Sequence, residues 1–295
     1  MNNLSLIKNF QEILRLIRRA FVMVKYNMAL TLPFLLFWLI LGFMLTPMGS
    51  GGGAAIYALL LFVGLLAAFL SGWFNMFKKC TETSVDQNEP NDKRVSDPFY
   101  LYKEFFPGVG KYFTKIILGI VMIFLLFNIL MFMLEVILMP MLATFDSFSR
   151  EEMGEALKGA EAITEFWGGI SDSDKAKLIK IIGIEFIFSI LFIYLTMFWA
   201  QLVILEENYP IKTLKKSVMT IIKDPARTSI IFFGNAIFIS VINFISIIMA
   251  MNPLIKLVFI LLLVYAFIFY VMMTFLYLER YGEIESSGID ITIEN

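Results

Sequence analysis

Six long runs of hydrophobic residues divide the chain, and short polar or glycine-rich segments lie between most of them. They cover residues 28–47, 54–77, 116–142, 181–205, 228–252 and 257–278. Each is long enough to cross a hydrocarbon core about 30 Å thick, which takes roughly 20 helical residues. Alternating strand patterns are absent from these runs, and backbone groups in lipid must be paired within a helix. The sequence therefore predicts an all-α integral membrane protein whose six transmembrane helices form a single domain over residues 1–295.

Two further segments place apolar and basic residues on opposite sides of a helix. In residues 3–25, apolar residues recur at spacings of three and four, and basic residues fill the other side. Residues 211–223 have the same arrangement. Each is predicted to lie as an amphipathic helix in the cytoplasmic interface, with its cations toward anionic lipid headgroups. The cations predicted to contact headgroups are Arg15, Arg18, Arg19, Lys212, Lys215, Lys216 and Lys223.

A weaker segment of the same kind, residues 98–115, precedes the third apolar run. With it, the chain would use one unit three times: an interfacial segment, a span going out, a turn and a returning span. Two boundaries have proline support, because Pro225 and Pro253 suit the first residue of the fifth and sixth spans. The pattern therefore predicts a threefold repeat of helical hairpins, with coincidence as the alternative.

Basic residues concentrate in the segments on one side of the predicted spans. The opposite turns, "TPMGSGGG" and "AMNP", carry no charge, and the long outer loop 143–180 has five basic residues against eight acidic ones. By the positive-inside rule, both termini are predicted in the cytoplasm of a multi-pass cell-membrane protein. Aromatic residues such as Trp73, Tyr112 and Tyr277 fall near the predicted cytoplasmic boundary, where amphipathic rings prefer to lie.

The composition supports a membrane location and argues against several kinds of chemistry. The chain of 295 residues is 59% hydrophobic and 17% charged, which is too little polar surface for a soluble domain. It has no histidine and one cysteine, so no disulfide framework, zinc cluster or histidine base is expected. Because no nucleophile and base pair or phosphate loop is found, we expect no enzyme activity, cofactor or metal. The basic clusters follow the predicted membrane boundaries, so nucleic acid is not an expected partner.

Polar residues inside the predicted spans form the candidate site. Placing an ionised carboxylate at the bilayer centre costs at least about 2.5 kcal/mol. Glu135 and Glu185 lie at similar depth in the third and fourth predicted spans, so both are candidates for a functional role. With polar neighbours at helical spacing they predict an outer-leaflet cavity that holds a cation or a polar headgroup. We favour the alternative that these groups form interhelical hydrogen bonds or reach interfacial water. The cavity residues would be Glu135, Glu185, Asn128, Ser189, Thr196, Asn235 and Asn243.

The outer loop contains one more amphipathic pattern. "SREEMGEALKGAEAITEFW", residues 149–167, opens with Ser149 and Glu152 in the spacing of a capping box, and its apolar residues share one side. It is predicted to be a helix that rests on the outer face of the membrane. It would act either as a lid over the cavity or as a spacer.

The passage "LVILEENYPIKTLKKSVMTIIKDPARTSIIFF", residues 202–233, resembles a known group of sequences. An acidic residue after the fourth span, here Glu206 or Glu207, is followed by Pro210 and a helix that includes Leu214 to Ser217. Together with the final "FLYLERY", these features are similar to six-helix membrane proteins related to the membrane domain of glycerophosphoryl diester phosphodiesterases, and to neighbouring uncharacterised families. The resemblance implies a six-helix fold over nearly the whole chain. It does not imply phosphodiesterase activity, because the soluble barrel of that enzyme is not found in this sequence.

Two classes of function follow from these patterns. The favoured one is a non-catalytic helical bundle that binds lipid or organises a membrane assembly, with membrane lipids, other proteins or a second copy of the chain as partners. The alternative is a small transporter or carrier that uses the polar outer-leaflet cavity.

Overall fold

The computed structural model describes residues 3–45, 53–84, 99–142, 160–248 and 253–286. Within these ranges the chain is helical, with short turns and no strand, so the all-α prediction is confirmed. The helices are α1 (Asn3–Tyr26), α2 (Thr31–Leu45), α3 (Gly53–Ser84), α4 (Tyr100–Lys103), α5 (Phe105–Leu142), α6 (Ala160–Gly169), α7 (Asp172–Thr196), α8 (Trp199–Glu206), α9 (Pro210–Lys223), α10 (Pro225–Ile248) and α11 (Pro253–Ser286).

Five helical segments of the described chain are long and apolar enough to cross a membrane. They correspond to the second to sixth predicted spans, and by length and composition they fit a multi-pass membrane protein. Helices α10 and α11 begin at the two prolines that the sequence had indicated, Pro225 and Pro253. The five segments are Ile56–Glu82, Phe105–Pro140, Asp172–Glu206, Pro225–Ile248 and Leu254–Arg280.

The predicted first span has a different form. Helix α1 and the segment after it reach the length and hydropathy of a span only as a pair, with an 81° bend between Gln11–Tyr26 and Met28–Phe43. Asn27 lies at the bend, where its side-chain amide donates to the Met23 carbonyl at 2.8 Å. The described chain therefore has five helical segments that are long and apolar enough to span a membrane, or six if this bent pair counts as one.

The segment 98–115 does not form a separate interfacial helix within its described part, residues 99–115. Helix α4 has four residues, Tyr100–Lys103, and α5 then runs without a break from Phe105 into the third span. Pro107 is tolerated there because it lies in the first turn, where the backbone amide has no helical partner. This segment packs on α3, where the Asn75 amide donates to the Glu104 carbonyl at 2.9 Å. The threefold repeat stays a prediction.

The predicted fourth span is interrupted. Helix α7 ends at Thr196 and α8 begins at Trp199. The break frees the amide of Phe198, which donates to the hydroxyl of Ser217 on α9 at 3.3 Å. A backbone group without a helical partner in a membrane needs such an acceptor. The Trp199 ring occupies the space beside Gly119, where an added Cβ would lie 2.2 Å from the ring.

The described residues fall into two compact units, one made of Met1–Ile120 with Thr196–Asn295 and the other of Val121–Leu195. The core of the first unit is an aromatic cluster around Trp73, which is fully buried. The Trp73 ring stacks on Phe34 and Phe69 at centroid distances of 5.2 and 5.0 Å, and its indole N–H donates to the Leu30 carbonyl at 2.8 Å. Burial of a polar indole group is stabilising because its donor is paired.

The expected aromatic belt is wrong for three of its residues. Trp73, Tyr112 and Tyr277 are buried in the first unit instead of facing an interface. Each has a specific partner: Trp73 bonds to a carbonyl, Tyr112 donates to Glu207 at 3.1 Å, and Tyr277 donates to Asp224 at 3.2 Å. The polar groups of these side chains form hydrogen bonds within the protein. The positions of aromatic residues in the sequence do not distinguish such bonds from contacts with lipid headgroups.

Helix α1 is docked on the protein by part of its apolar side. Ile13, Ala20 and Val24 are buried, while Leu14 and Phe21 are exposed. Part of the apolar side therefore packs on the protein and part of it is exposed. The amphipathic pattern had indicated that the whole apolar side would contact acyl chains.

A charged contact reinforces this docking. Glu12 accepts from Arg227 of α10 at 2.7 Å and from Arg280 of α11 at 3.0 Å. Arg227 also lies 3.5 Å from Asp224, so the ends of two later helices hold the first one. Partly buried, multiple ion pairs of this kind are stronger than isolated surface pairs.

The second unit contains α5 from Val121 onward, α6, and α7 as far as Leu195. Helix α7 begins about two turns earlier than the predicted span, because the Ser171 hydroxyl caps it by accepting from the amide of Asp174 at 3.2 Å. The rings of Phe127 on α5 and Phe192 on α7 lie 5.1 Å apart. The outer helix predicted over 149–167 is described only from residue 160, as α6, and Ser149 and Glu152 lie outside the described residues.

Candidate functional site

A cluster of charged side chains surrounds Glu207, directly after α8. We define the lysine cradle as Lys78, Lys111, Tyr112 and Lys115. Lys78 lies near the end of α3, and Lys111 and Lys115 are four residues apart in α5, which places them on one face. All four side chains reach Glu207 in the first unit.

Three donors meet at one oxygen atom in this cradle. Oε1 of Glu207 accepts from Nζ of Lys78 at 3.2 Å, Nζ of Lys111 at 2.5 Å and the hydroxyl of Tyr112 at 3.1 Å. Lys115 donates to the backbone carbonyl of the same residue. Lys78 also donates to the Ile204 carbonyl at 3.1 Å, which satisfies one of the last carbonyls of α8.

The electrostatics of the cradle favour an anion. The ammonium group of Lys111, with Lys78 and the Tyr112 hydroxyl, holds the pKa of the Glu207 carboxyl at about 2, against an ordinary value of 4.5. Two ammonium groups contact this carboxylate, and the third, that of Lys115, contacts the backbone carbonyl of the same residue. The carboxylate therefore stays ionised at physiological pH, and the site still has an excess of positive charge.

Glu207 has an unusual backbone conformation. Among the described residues it is the one non-glycine with positive φ, at 57°. The left-handed conformation at the end of a helix usually belongs to glycine or asparagine, and it costs other residues about 1–2 kcal/mol. The contacts of its carboxylate and carbonyl with the cradle hold it there.

The neighbouring Glu206 has its own partner. Its carboxylate lies 2.5 Å from Nζ of Lys216 on α9, and it accepts from the Asn208 amide at 3.3 Å. Lys216 was predicted to contact headgroups, but it is half-buried in this ion pair. The other six predicted headgroup cations are exposed: Arg15, Arg18, Arg19, Lys212, Lys215 and Lys223.

Four of the predicted cavity residues lie in the second unit. Glu135 is exposed and Glu185 is half-buried. The Asn128 amide donates to the Phe124 carbonyl at 2.7 Å, and the Ser189 hydroxyl donates to the Glu185 carbonyl at 2.8 Å. These two bonds lie within single helices and do not join helices.

The other three predicted cavity residues belong to the first unit. Asn235 is buried, and its amide donates to the Ile231 carbonyl of its own helix at 2.6 Å. Thr196 is buried at the end of α7, and Asn243 is exposed. The seven residues are thus divided between the two units, and the shared cavity stays a prediction.

Sequence reasoning identified the acidic pair Glu206 and Glu207 but missed the cradle. In the sequence, the three lysines only add to the basic residues on one side of the predicted spans. One local signal was available, the spacing of Lys111 and Lys115 on one helical face beside a tyrosine. No sequence pattern shows that this face meets a residue 92 positions later in the chain.

Comparisons with known proteins do not extend this description. No protein-family model, no curated protein and no solved structure matches the chain. The resemblance to the six-helix membrane families therefore stays a prediction. Within the described ranges, no group of three or more histidine, cysteine, aspartate or glutamate residues is arranged to hold a metal ion.

Proposed function

We propose that this protein is a six-span cell-membrane protein, with both termini in the cytoplasm, that binds anionic lipids through its basic helices α1 and α9 and catalyses no reaction. The observation that carries this proposal is that both helices have one side fixed to the bundle and cations exposed on the other. Ile13 and Ala20 of α1 and Thr213 and Ser217 of α9 are buried. The exposed cations are thus held in fixed positions beside the ends of spanning helices.

Lipid binding of this kind is expected to depend on four exposed cations. Each juxtamembrane cation contributes about 1 kcal/mol near an anionic surface. In a quadruple variant, Arg15, Arg18, Lys212 and Lys215 are all replaced with Gln. This variant is expected to prefer phosphatidylglycerol over phosphatidylcholine at least about tenfold less than the unchanged protein does. The preference is measured by native mass spectrometry of the purified protein in detergent with each lipid.

The matched control removes two cations from α7 of the second unit, Lys175→Gln with Lys180→Gln, and should leave the preference unchanged. The proposal would be contradicted if the variant with four substitutions is folded and still prefers phosphatidylglycerol to the same degree as the unchanged protein.

The proposed orientation is tested by cysteine labelling. The one native cysteine, Cys80, is buried, so single cysteines introduced at Arg18, Gly51 or Ser286 provide the reactive thiols. A membrane-impermeant maleimide is expected to label Gly51→Cys in intact cells. It should label Arg18→Cys and Ser286→Cys only after permeabilisation. Labelling of either of these two in intact cells would show that a terminus lies outside.

The alternative function, a small carrier, has less support. Glu135 and Glu185 both belong to the second unit, but Asn128, Ser189 and Asn235 direct hydrogen bonds to carbonyls of their own helices. Side chains that are satisfied in this way do not need a transported ligand as a partner.

A further inference from the structure

The lysine cradle has the geometry of an oxyanion site. Lys78, Lys111 and Tyr112 come from two helices, and their donor atoms converge on one oxygen within 3.2 Å. Charge-assisted hydrogen bonds from lysine to carboxylate and to phosphate oxygen have the same geometry and are about twice as strong as neutral ones. The cradle therefore suits a phosphate oxygen as well as the carboxylate oxygen that now fills it.

The charge of the site also exceeds what its present occupant neutralises. Lys78 and Lys111 share one carboxylate, and Lys115 donates to the neutral carbonyl of the same residue, so three ammonium groups meet a single negative charge at Glu207. A phosphate monoester carries about −1.5 to −2 at neutral pH and has three acceptor oxygens. It would balance the three lysines more completely than a single carboxylate does.

Glu207 is placed so that its side chain can leave the cradle. It lies in the short connection between α8 and α9, and 42% of its side chain is exposed. Withdrawal needs rotation of one side chain, and the left-handed backbone is a strained conformation that the cradle contacts offset. No helix has to unwind.

The surface beside the cradle suits the apolar part of a lipid. Tyr209 is 68% exposed and lies 5.9 Å below the ammonium group of Lys115, and Ile211, the second residue of α9, is 72% exposed. A phosphate bound to the lysines would therefore have exposed aromatic and aliphatic side chains next to it.

We propose that the lysine cradle binds the phosphate group of an anionic ligand and that Glu207 is an internal competitor, which fills the cradle when the ligand is absent. The ligand is a lipid headgroup or a free phosphate compound. If the phosphate belongs to a lipid, the inference rests on the proposed function. If it belongs to a free compound, the inference does not depend on it.

The decisive variant is Glu207→Gln, which keeps the shape of the side chain and removes its charge. It is expected to bind phosphate groups about tenfold more tightly than the unchanged protein, equivalent to about 1.4 kcal/mol. The control is Glu82→Gln on α3, which changes the net charge equally but belongs to a surface pair with Lys79. Adding Lys111→Gln to Glu207→Gln should remove the gain.

Binding is measured for phosphatidic acid by native mass spectrometry and for inorganic phosphate by the shift of the thermal unfolding midpoint. A gain with phosphatidic acid alone identifies a lipid headgroup, and a gain with both probes identifies a free phosphate ligand. If Glu207→Gln does not fold, Glu207→Gly replaces it, because glycine adopts the left-handed conformation without strain.

A folded Glu207 variant that binds both probes no more tightly than the Glu82→Gln control would overturn the inference. The variant with four substitutions in α1 and α9 distinguishes failure of phosphate binding by the cradle from failure of the proposed function. Loss of its phosphatidylglycerol preference supports lipid binding by the basic helices whether or not the cradle binds phosphate.

Discussion

Replacing Trp73 with alanine is expected to lower the free energy of unfolding by about 3–5 kcal/mol. Trp73 has 0% of its surface exposed, and its ring contacts those of Phe34 and Phe69. The substitution leaves a large cavity in the aromatic cluster and removes the donor that pairs the Leu30 carbonyl. Unfolding of the purified protein in mixed micelles, followed by far-ultraviolet circular dichroism against denaturant, measures the loss.

Trp38→Ala is the matched control for this substitution. Trp38 is also a tryptophan of the first unit, but it is 57% exposed, and its ring contact with Phe34 is an edge contact at 6.4 Å. It is expected to cost less than about 1 kcal/mol. Equal losses for the two variants would mean that the cluster around Trp73 is not the core of the unit.

Replacing Gly108 with alanine is expected to cost about 1–3 kcal/mol, the usual range for overpacking a tight contact. A Cβ at this position would lie 2.5 Å from Cβ of Asn75 and 2.8 Å from the Ser71 backbone oxygen, so α3 and α5 would have to separate. The neighbouring substitution Gly110→Ala, in the same helix, meets nothing within 4 Å. It should be neutral or slightly stabilising, because alanine favours the helix by about 1 kcal/mol over glycine.

The measurement for this pair is the midpoint of thermal unfolding of each purified variant in the same detergent. A Gly108→Ala midpoint equal to that of Gly110→Ala would show that the two helices are not in close contact at this point.

The general plan of the fold was predictable because the span signal is local. About twenty consecutive apolar residues determine a spanning helix regardless of the rest of the chain, and Pro225 and Pro253 start helices for reasons of backbone chemistry. The amphipathic character of α1 and α9 was equally readable. These features depend on residues that lie within one helix of each other.

The remaining features depend on which helices become neighbours. The break at Phe198 is tolerated because the hydroxyl of Ser217, 19 positions later, accepts a hydrogen bond from the Phe198 backbone amide. The burial of Trp73 needs the carbonyl of Leu30 43 positions earlier. The lysine cradle likewise joins α3, α5 and the end of α8, and no periodicity within one segment records such a pairing.

The contact of Glu12 with Arg227 and Arg280 has a consequence for biosynthesis. Arg280 is 268 positions from Glu12, so the ribosome makes the anchor for α1 long after α1 itself has emerged. Until α11 has been made, the side of α1 that packs on it lacks that contact. Docking of α1 on α11 thus follows synthesis of α11, and a nascent chain that lacks α11 would be distinguishable from one that contains it by this uncovered face of α1.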